Sequence, residues 1–180
     1  MATQSTKKPK MEAAAAQLDA IALLKADHRQ VEELFDAYSK SRSPARKGTL
    51  ALEICAALRI HMAIEEEFFY PAFLEGTSDS DLHHEAEVEH AGARKLMTEI
   101  EASSPDDEYF DAKIKVLSEL IKHHVKEEEQ RGGMFAKAKD SEMDLEELGI
   151  IMSARKEELS SSPGQVNGER KSASRAAAAH

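Results

Sequence analysis

Residues 61–67 read HMAIEEE and residues 124–129 read HVKEEE, so a histidine, a short gap and three glutamates occur twice in the chain. In both copies a histidine and a glutamate lie four residues apart: His61 with Glu65, and His124 with Glu128. Side chains four residues apart in an α-helix project from the same face, one turn apart. Each copy therefore predicts a helix with an imidazole and a carboxylate on one face.

Neighbouring apolar residues indicate that this face points into a protein core. Leu58 lies three residues before His61, and Ile121 lies three residues before His124. Apolar residues at such spacing form the buried stripe of an amphipathic helix. Both helices are therefore expected to direct their polar pair inward.

Two more histidines lie on the apolar stripes of two other predicted helices. His28 is four residues after Leu24 and three before Val31, and His90 is seven residues before Met97. Burying four imidazoles and two carboxylates without a cation would cost several kcal/mol, as an order of magnitude. The sequence therefore predicts a metal site whose ligands are His28, His61, Glu65, His90, His124 and Glu128.

The chemistry of these donors favours iron. Calcium and magnesium take mainly oxygen ligands, whereas imidazole and carboxylate together suit iron. Zinc is satisfied by four ligands, and this site offers more. The other acidic and histidine side chains near the motifs are expected at the surface: Glu66, Glu67, Glu127, Glu129, His83, His84 and His123. Glu129 stays open as an alternative to Glu128 if its helix is locally overwound.

Four helical patterns with short connections predict an all-α, up-and-down four-helix bundle over residues 17–136. An additional amphipathic helix is expected within residues 137–159 and is expected to pack on the bundle. Residues 1–16 and 160–180 are polar or lack apolar periodicity, and they are expected to be disordered tails.

Local signals set the expected helix boundaries. Ser43-Pro44 and Ser104-Pro105 are typical of helix starts, because serine caps the first turn and proline suits the first helical position. The second helix is expected to end or kink near Pro71, and Gly132-Gly133 is expected to end the fourth.

Composition excludes several classes of partner. The formal net charge of −10 argues against a nucleic-acid surface, which requires basic patches. A membrane span needs about 20 apolar residues, and no run approaches that length. The first residues do not resemble a secretory signal. Cys55 is the single cysteine, so a disulfide within the chain is impossible, and a cytoplasmic protein is expected.

The ordered motifs resemble those of the hemerythrin-like family, also called HHE cation-binding domains. The resemblance covers about residues 18–136, with His28, His61-x-x-x-Glu65, Phe69-Tyr70-Pro71, Glu89-His90 and His124-x-x-x-Glu128. It implies two iron ions joined by an oxo or hydroxo bridge. In this family pattern Glu65 and Glu128 would bridge the ions, and the histidines would be terminal ligands.

The third helix departs from the pattern of the oxygen-carrying hemerythrins. Those proteins place two histidines four residues apart there, whereas His90 is preceded by Ala86 and followed by Arg94. Water, Glu87 or Tyr70 is expected to fill the missing position. The departure favours a sensor or redox role over a stable oxygen carrier.

The function predicted from these observations is the binding or sensing of a small ligand (dioxygen, nitric oxide or peroxide) at the iron centre. An oxidoreductase that consumes peroxide or nitric oxide is an alternative, and so is an iron-responsive regulatory or stress module. A ferritin-like di-iron bundle is a weaker alternative, because it needs two Glu-x-x-His motifs and only residues 87–90 fit. The sequence leaves open which protein, if any, is a partner.

Overall fold

The structure, a computed structural model, describes residues 18–161, and all regular secondary structure in that range is helical. Its seven α-helices are α1 (Ala20–Lys40), α2 (Pro44–Ile64), α3 (Tyr70–Thr77), α4 (Ser80–Glu101), α5 (Phe110–Glu129), α6 (Met134–Lys139) and α7 (Leu145–Ser161). A π-helical turn, Glu65–Phe69, joins α2 to α3. A membrane-spanning helix would have to be longer or more apolar than any helix among residues 18–161.

Four helical stretches form the bundle: α1, the continuous run from α2 to α3, α4 and α5. Their short connections make consecutive stretches antiparallel. α1 packs against α2, α4 packs against α5, and α2 also packs against α4. The predicted all-α, up-and-down bundle is confirmed. The tails predicted to be disordered lie outside the described residues, apart from Ser160 and Ser161, which end α7.

Polar side chains cap most of the helix starts, where the first amides have no partner within the helix. The Asp19 carboxylate accepts a hydrogen bond from the Ala22 amide at 2.7 Å. Similar caps begin three other helices: Ser43 for α2, Asp79 for α4 and Asp144 for α7. The predicted start at Ser43-Pro44 is therefore present in the structure.

The start of α5 differs from the prediction at Ser104-Pro105. The Ser104 amide donates to the Asp107 carboxylate at 2.8 Å, and the Asp107 amide donates to the Ser104 carbonyl at 2.9 Å. These two hydrogen bonds close a turn between Ser104 and Asp107. The helix therefore begins only at Phe110, whose ring is buried.

The π-helical turn explains why the chain stays helical through Pro71. The Tyr70 amide donates to the Glu65 carbonyl, five residues back. Proline has no amide hydrogen, and the wider turn accommodates this interruption without ending the helix. Residues five apart face different sides of an α-helix, yet Glu65 and Tyr70 are both buried. The turn thus brings both side chains into the bundle interior.

Two further helices cover one end of the bundle. α6, which the sequence patterns did not predict, buries Met134 and Phe135. α7 packs against α1, α2 and the π-helical turn, with Met152 and Leu159 buried. Gly149 lies so close to the start of α1 that a Cβ atom there would be 2.4 Å from the Leu18 carbonyl oxygen. A glycine is therefore required for this close contact.

Candidate metal centre

The six residues predicted as metal ligands converge at the middle of the bundle. α1 contributes His28, α2 contributes His61, the π-helical turn contributes Glu65, α4 contributes His90, and α5 contributes His124 and Glu128. All six side chains are buried, and none is more than 4 % exposed. The structure thus brings the predicted set together, whereas their role as metal ligands stays a prediction.

The imidazoles form two pairs. The Nε2 atoms of His28 and His61 are 3.2 Å apart, and those of His90 and His124 are also 3.2 Å apart. We name these pairs the α1–α2 half and the α4–α5 half. Two ligand atoms at right angles on one ion, each about 2.1 Å from it, lie about 3 Å apart. Each pair is therefore spaced for one metal ion.

The two glutamates lie between the halves. The Glu65 Oε2 atom is 3.2 Å from the Nε2 of His61 and 3.4 Å from that of His90, one imidazole of each half. Glu128 contacts the other imidazole of each half, at 3.3 Å and 3.7 Å. Both carboxylates are therefore placed where they could be shared by two ions.

Each imidazole also has a carboxylate beside its outer nitrogen, Nδ1. The Nδ1–oxygen distances are 2.7 Å for His28–Glu129, 2.8 Å for His124–Glu89, 3.0 Å for His90–Glu66 and 3.6 Å for His61–Asp27. The first three are hydrogen bonds, whereas the last is too long to be one. A carboxylate at Nδ1 holds the proton there and leaves Nε2 with a free lone pair.

This arrangement fits a cation. In the α4–α5 half both Nδ1 atoms are hydrogen-bonded to carboxylates, so when both rings are neutral the two facing Nε2 atoms present lone pairs to each other. Glu65 Oε1 and Glu128 Oε2 are buried and have no hydrogen-bond partner among residues 18–161. A metal ion would satisfy these atoms, and the nitrogen and oxygen donors suit iron.

The two buried carboxylates have very different pKa values in the absence of a cation. Burial, followed by the charge of Glu128, raises the pKa of Glu65 to about 8. Burial also opposes ionisation of Glu128, but His124 and His28 hold the pKa of Glu128 at about 2. One carboxylate thus keeps a proton at neutral pH, and a bound metal ion would displace it.

Tyr70 lies beside the α4–α5 half. Its hydroxyl is 3.1 Å from the Nε2 of His90, 3.4 Å from Glu128 Oε1 and 3.5 Å from Glu65 Oε2. Burial, and then the two glutamates, raise the pKa of Tyr70 well above its ordinary value. Glu87, the other side chain considered for this position, is exposed on the outer side of α4. Of these two side chains, Tyr70 is the one that contacts the centre, and its role as a ligand in place of a second histidine stays a prediction.

Two acidic residues expected at the surface belong to the centre, so that expectation was wrong. Glu66 accepts from His90 and also pairs with Arg94. Burial opposes ionisation of Glu66, but these two contacts lower its pKa to about 2. Glu129 accepts from His28, so Glu128 is the member of that pair that faces the centre. Glu66 and Glu129 each follow a predicted ligand and lie off the inward face of their own helix, but each contacts a histidine of a neighbouring helix.

The places of Asp27 and Glu89 beside a histidine were also missed, and His83 is not a surface residue. Asp27 is three residues after Leu24 and four before Val31, so its place on an apolar stripe was a readable signal. His83 is half-buried, with its ring 5.9 Å from that of Tyr70. The remaining histidines near the motifs, His84 and His123, are exposed as expected.

A narrow cavity borders the imidazoles. Its space of about 10 Å³ is enough for about one water-sized molecule. The four imidazoles form its polar side, and its apolar lining consists of Val31, Leu58, Met62, Ile121 and Val125. A small uncharged molecule in this cavity would lie directly beside the centre.

Comparison with known proteins agrees with this geometry. The family model of the hemerythrin HHE cation-binding domain matches residues 19–135, which include all six predicted ligands. The fold is similar to that of a hemerythrin HHE cation-binding domain-containing protein from Mycobacterium kansasii, with a TM-score of 0.66 and 24% identity over 78% of this chain and 86% of that one. A protein named DNA nickase from Nostoc sp. strain PCC 7120 is 27% identical over 107 residues, or 59% of this chain, which spans 30% of that protein's length. On the extent of the family match, the chain belongs to the hemerythrin HHE cation-binding domain family.

Proposed function

We propose that the protein holds two iron ions, one in each half of the centre, and binds a small ligand there: dioxygen, nitric oxide or peroxide. The observation that supports this most strongly is the pairing of four Nε2 atoms around two buried carboxylates. Glu65 and Glu128 contact both halves, and these two carboxylates are the proposed protein bridges between the ions. An oxo or hydroxo group would be the third bridge.

Bound iron would supply open coordination positions and a reversible change of oxidation state. The chain's own residues orient the imidazoles and shield them from water. Carboxylates at Nδ1 fix the orientation of the imidazoles and increase their basicity. Phe135 of α6 stacks on His28, with ring centroids 5.8 Å apart and planes 10° apart, and it shields that imidazole from water.

The cavity beside the imidazoles favours a diatomic ligand. Its size excludes anything much larger than a water molecule, and its apolar walls give no compensation for burying a charged substrate. Dioxygen, nitric oxide and un-ionised hydrogen peroxide are all small and uncharged, but the two gases need no hydrogen bonds from the apolar walls, whereas peroxide does. We therefore favour a binding or sensing protein for one of these gases.

One observation favours the oxidoreductase alternative. The Tyr70 hydroxyl keeps its proton, because burial raises its pKa, and it lies 3.1 Å from the Nε2 of His90. A buried proton donor at this position suits the reduction of peroxide, which must gain protons as its oxygen–oxygen bond breaks. The two proposals therefore assign different roles to Tyr70: a ligand group in the first and a proton donor in the second.

The experiment that tests these proposals begins with iron-loaded protein reduced under anaerobic conditions. Nitric oxide, dioxygen or hydrogen peroxide is then added while the visible spectrum is recorded. The binding proposal expects a spectral change that saturates near one gas molecule per chain. Continued consumption of many equivalents of peroxide would favour the oxidoreductase, and the absence of any change with all three would contradict both proposals.

A further inference from the structure

Each imidazole of the centre belongs to a row of three groups: the imidazole, a carboxylate at its Nδ1, and an arginine, lysine or histidine side chain on that carboxylate. Three of the four rows are formed by bundle helices alone: His28–Glu129–Arg29, His90–Glu66–Arg94 and His124–Glu89–His123. In each of these, the third group lies on the same helix as its histidine and within four residues of it.

The fourth row is completed from outside the bundle. His61 faces Asp27 of α1, and the other oxygen of Asp27 forms an ion pair with Lys156 of α7. Asp27 is only 5 % exposed. Burial opposes ionisation of Asp27, but His61 and Lys156 lower its pKa. Lys156 lies beyond residues 19–135, the segment that the family model matches.

This fourth row is also the loosest. The distance of 3.6 Å between His61 Nδ1 and Asp27 Oδ2 is the longest of the four. Neither of these two buried atoms has a hydrogen-bond partner in the described part of the chain. With no hydrogen bond to His61, the Asp27 carboxylate is held mainly through the oxygen that contacts Lys156.

We propose that Lys156 is a positioning residue for the α1–α2 half. Its ammonium group holds Asp27 beside His61 and thereby strengthens metal binding by that half. The proposal rests on the two-ion function proposed above. Outer carboxylates of this kind commonly change metal affinity by about 10–100-fold. Because binding equilibria are reciprocal, metal in the α1–α2 half also favours the docked position of α7.

Other contacts hold α7 in place and make the role of Lys156 separable from docking. Arg155 donates to both oxygens of Glu67 on the π-helical turn, at 2.8 Å and 3.1 Å. Met152 is fully buried, and Gly149 closely contacts the start of α1. Removing the ammonium group of Lys156 should therefore change the Asp27 contact while α7 stays docked.

The test measures how strongly each of two ferrous ions is held against a competing chelator under anaerobic conditions. In Lys156→Met, one of the two ions should be held at least about tenfold more weakly, and the other should be unchanged. Lys156→Arg should restore retention, because it restores the cation. Arg155→Met is the matched control: it removes the ion pairs of Arg155 with Glu67 and Glu158 and leaves the Lys156–Asp27 pair unchanged, so it should retain both ions normally.

A double-mutant cycle then separates positioning from a general structural effect. If Lys156 acts through Asp27, the double variant Asp27→Asn/Lys156→Met should hold iron no more weakly than Asp27→Asn alone. Normal retention in Lys156→Met, equal weakening in Arg155→Met, or additive losses in the double variant would each overturn the inference. A wild-type protein that binds fewer than two ions would overturn the proposed function, and the inference with it.

Discussion

The α1–α2 half and the α4–α5 half each present two imidazoles, but their surroundings differ. In the α4–α5 half, both Nδ1 atoms are hydrogen-bonded, at 2.8 Å and 3.0 Å, and the Tyr70 hydroxyl lies 3.1 Å from one Nε2. In the α1–α2 half, one Nδ1 distance is 2.7 Å and the other is 3.6 Å. There the covering groups are Phe135 and Lys156, which α6 and α7 supply.

This difference shows that repeated motifs in the sequence do not give the two pairs of imidazoles equivalent surroundings. In the proposed centre, two imidazoles and two shared carboxylates would give each half four donor groups, and Tyr70 would add a fifth only to the α4–α5 half. Iron commonly takes about six ligands in such sites. We therefore expect a small ligand to bind at the α1–α2 half, where more positions stay open.

The largest expected effect comes from removing one imidazole in each half. His61→Ala and His124→Ala should each lose at least one of two bound irons, because each removes a ligand of a different ion. Metal analysis of protein from iron-replete cells measures this. His84→Ala, which changes an exposed histidine on α4, is the control and should keep both irons. Full iron content in either ligand variant would show that its half has been misassigned.

The shared carboxylates predict the pH dependence of metal binding. In metal-free protein the pKa of Glu65 is raised to about 8. The pKa of His124 is also raised: burial lowers it, but the nearby carboxylates of Glu128 and Glu89 raise it by more. The stability that these protons give the metal-free fold is lost as pH rises towards 8. Metal must displace these protons, so its affinity should increase between pH 6 and 8 by up to roughly tenfold per pH unit for each proton displaced.

The readout is the thermal midpoint with and without ferrous ion, measured anaerobically at several pH values. The increase caused by metal should be larger at pH 8 than at pH 6. An increase that is the same at both pH values would mean that no proton leaves Glu65 or His124 when metal binds.

Tyr70→Phe tests the asymmetry between the halves. Loss of the hydroxyl should lower the affinity for one ion by about tenfold and leave the affinity for the other unchanged. If the phenol ligates ferric iron, the visible charge-transfer absorption of a phenolate should also disappear. Tyr109→Phe is the matched control, since Tyr109 is 66% exposed and lies just before the first residue of α5. Identical affinities and spectra in the Tyr70 variant and wild type would place Tyr70 outside the coordination sphere.

The smallest expected effect concerns the cavity. Val125→Leu adds one methylene group to a wall of a space of about 10 Å³, so nitric oxide should bind several-fold more slowly while both irons are retained. Overpacking of this kind typically costs about 1–3 kcal/mol of stability. Val116→Leu makes the same substitution at an exposed position of α5 and should leave the rate unchanged. An unaltered rate in Val125→Leu would indicate that the ligand enters by another path.

The bundle and its inward residues could be predicted because helical phase depends only on local spacing. Leu58 and Ile121 define the face on which His61 and His124 lie, and no knowledge of neighbouring helices is needed. The same reasoning failed at Ser104, where serine and aspartate stabilise a turn as readily as a helix start.

The outer carboxylates and Lys156 could not be found in this way. Glu66 and Glu129 contact histidines of other helices, and these contacts depend on how the helices are rotated and aligned along the bundle. The π-helical turn alters the rotation after Glu65, and the sequence signal for it is only Pro71. Lys156 meets Asp27 across 129 positions of sequence, so only tertiary packing brings them together.

The proposal that two ions occupy two unequal halves is tested most directly by adding ferrous ion stepwise to metal-free protein under anaerobic conditions. The bound iron is followed by its spectrum and by the thermal midpoint. We expect saturation at two ions per chain, with two distinguishable affinities because the halves differ. Saturation at a single ion per chain, or no binding of iron, would contradict the two-ion centre.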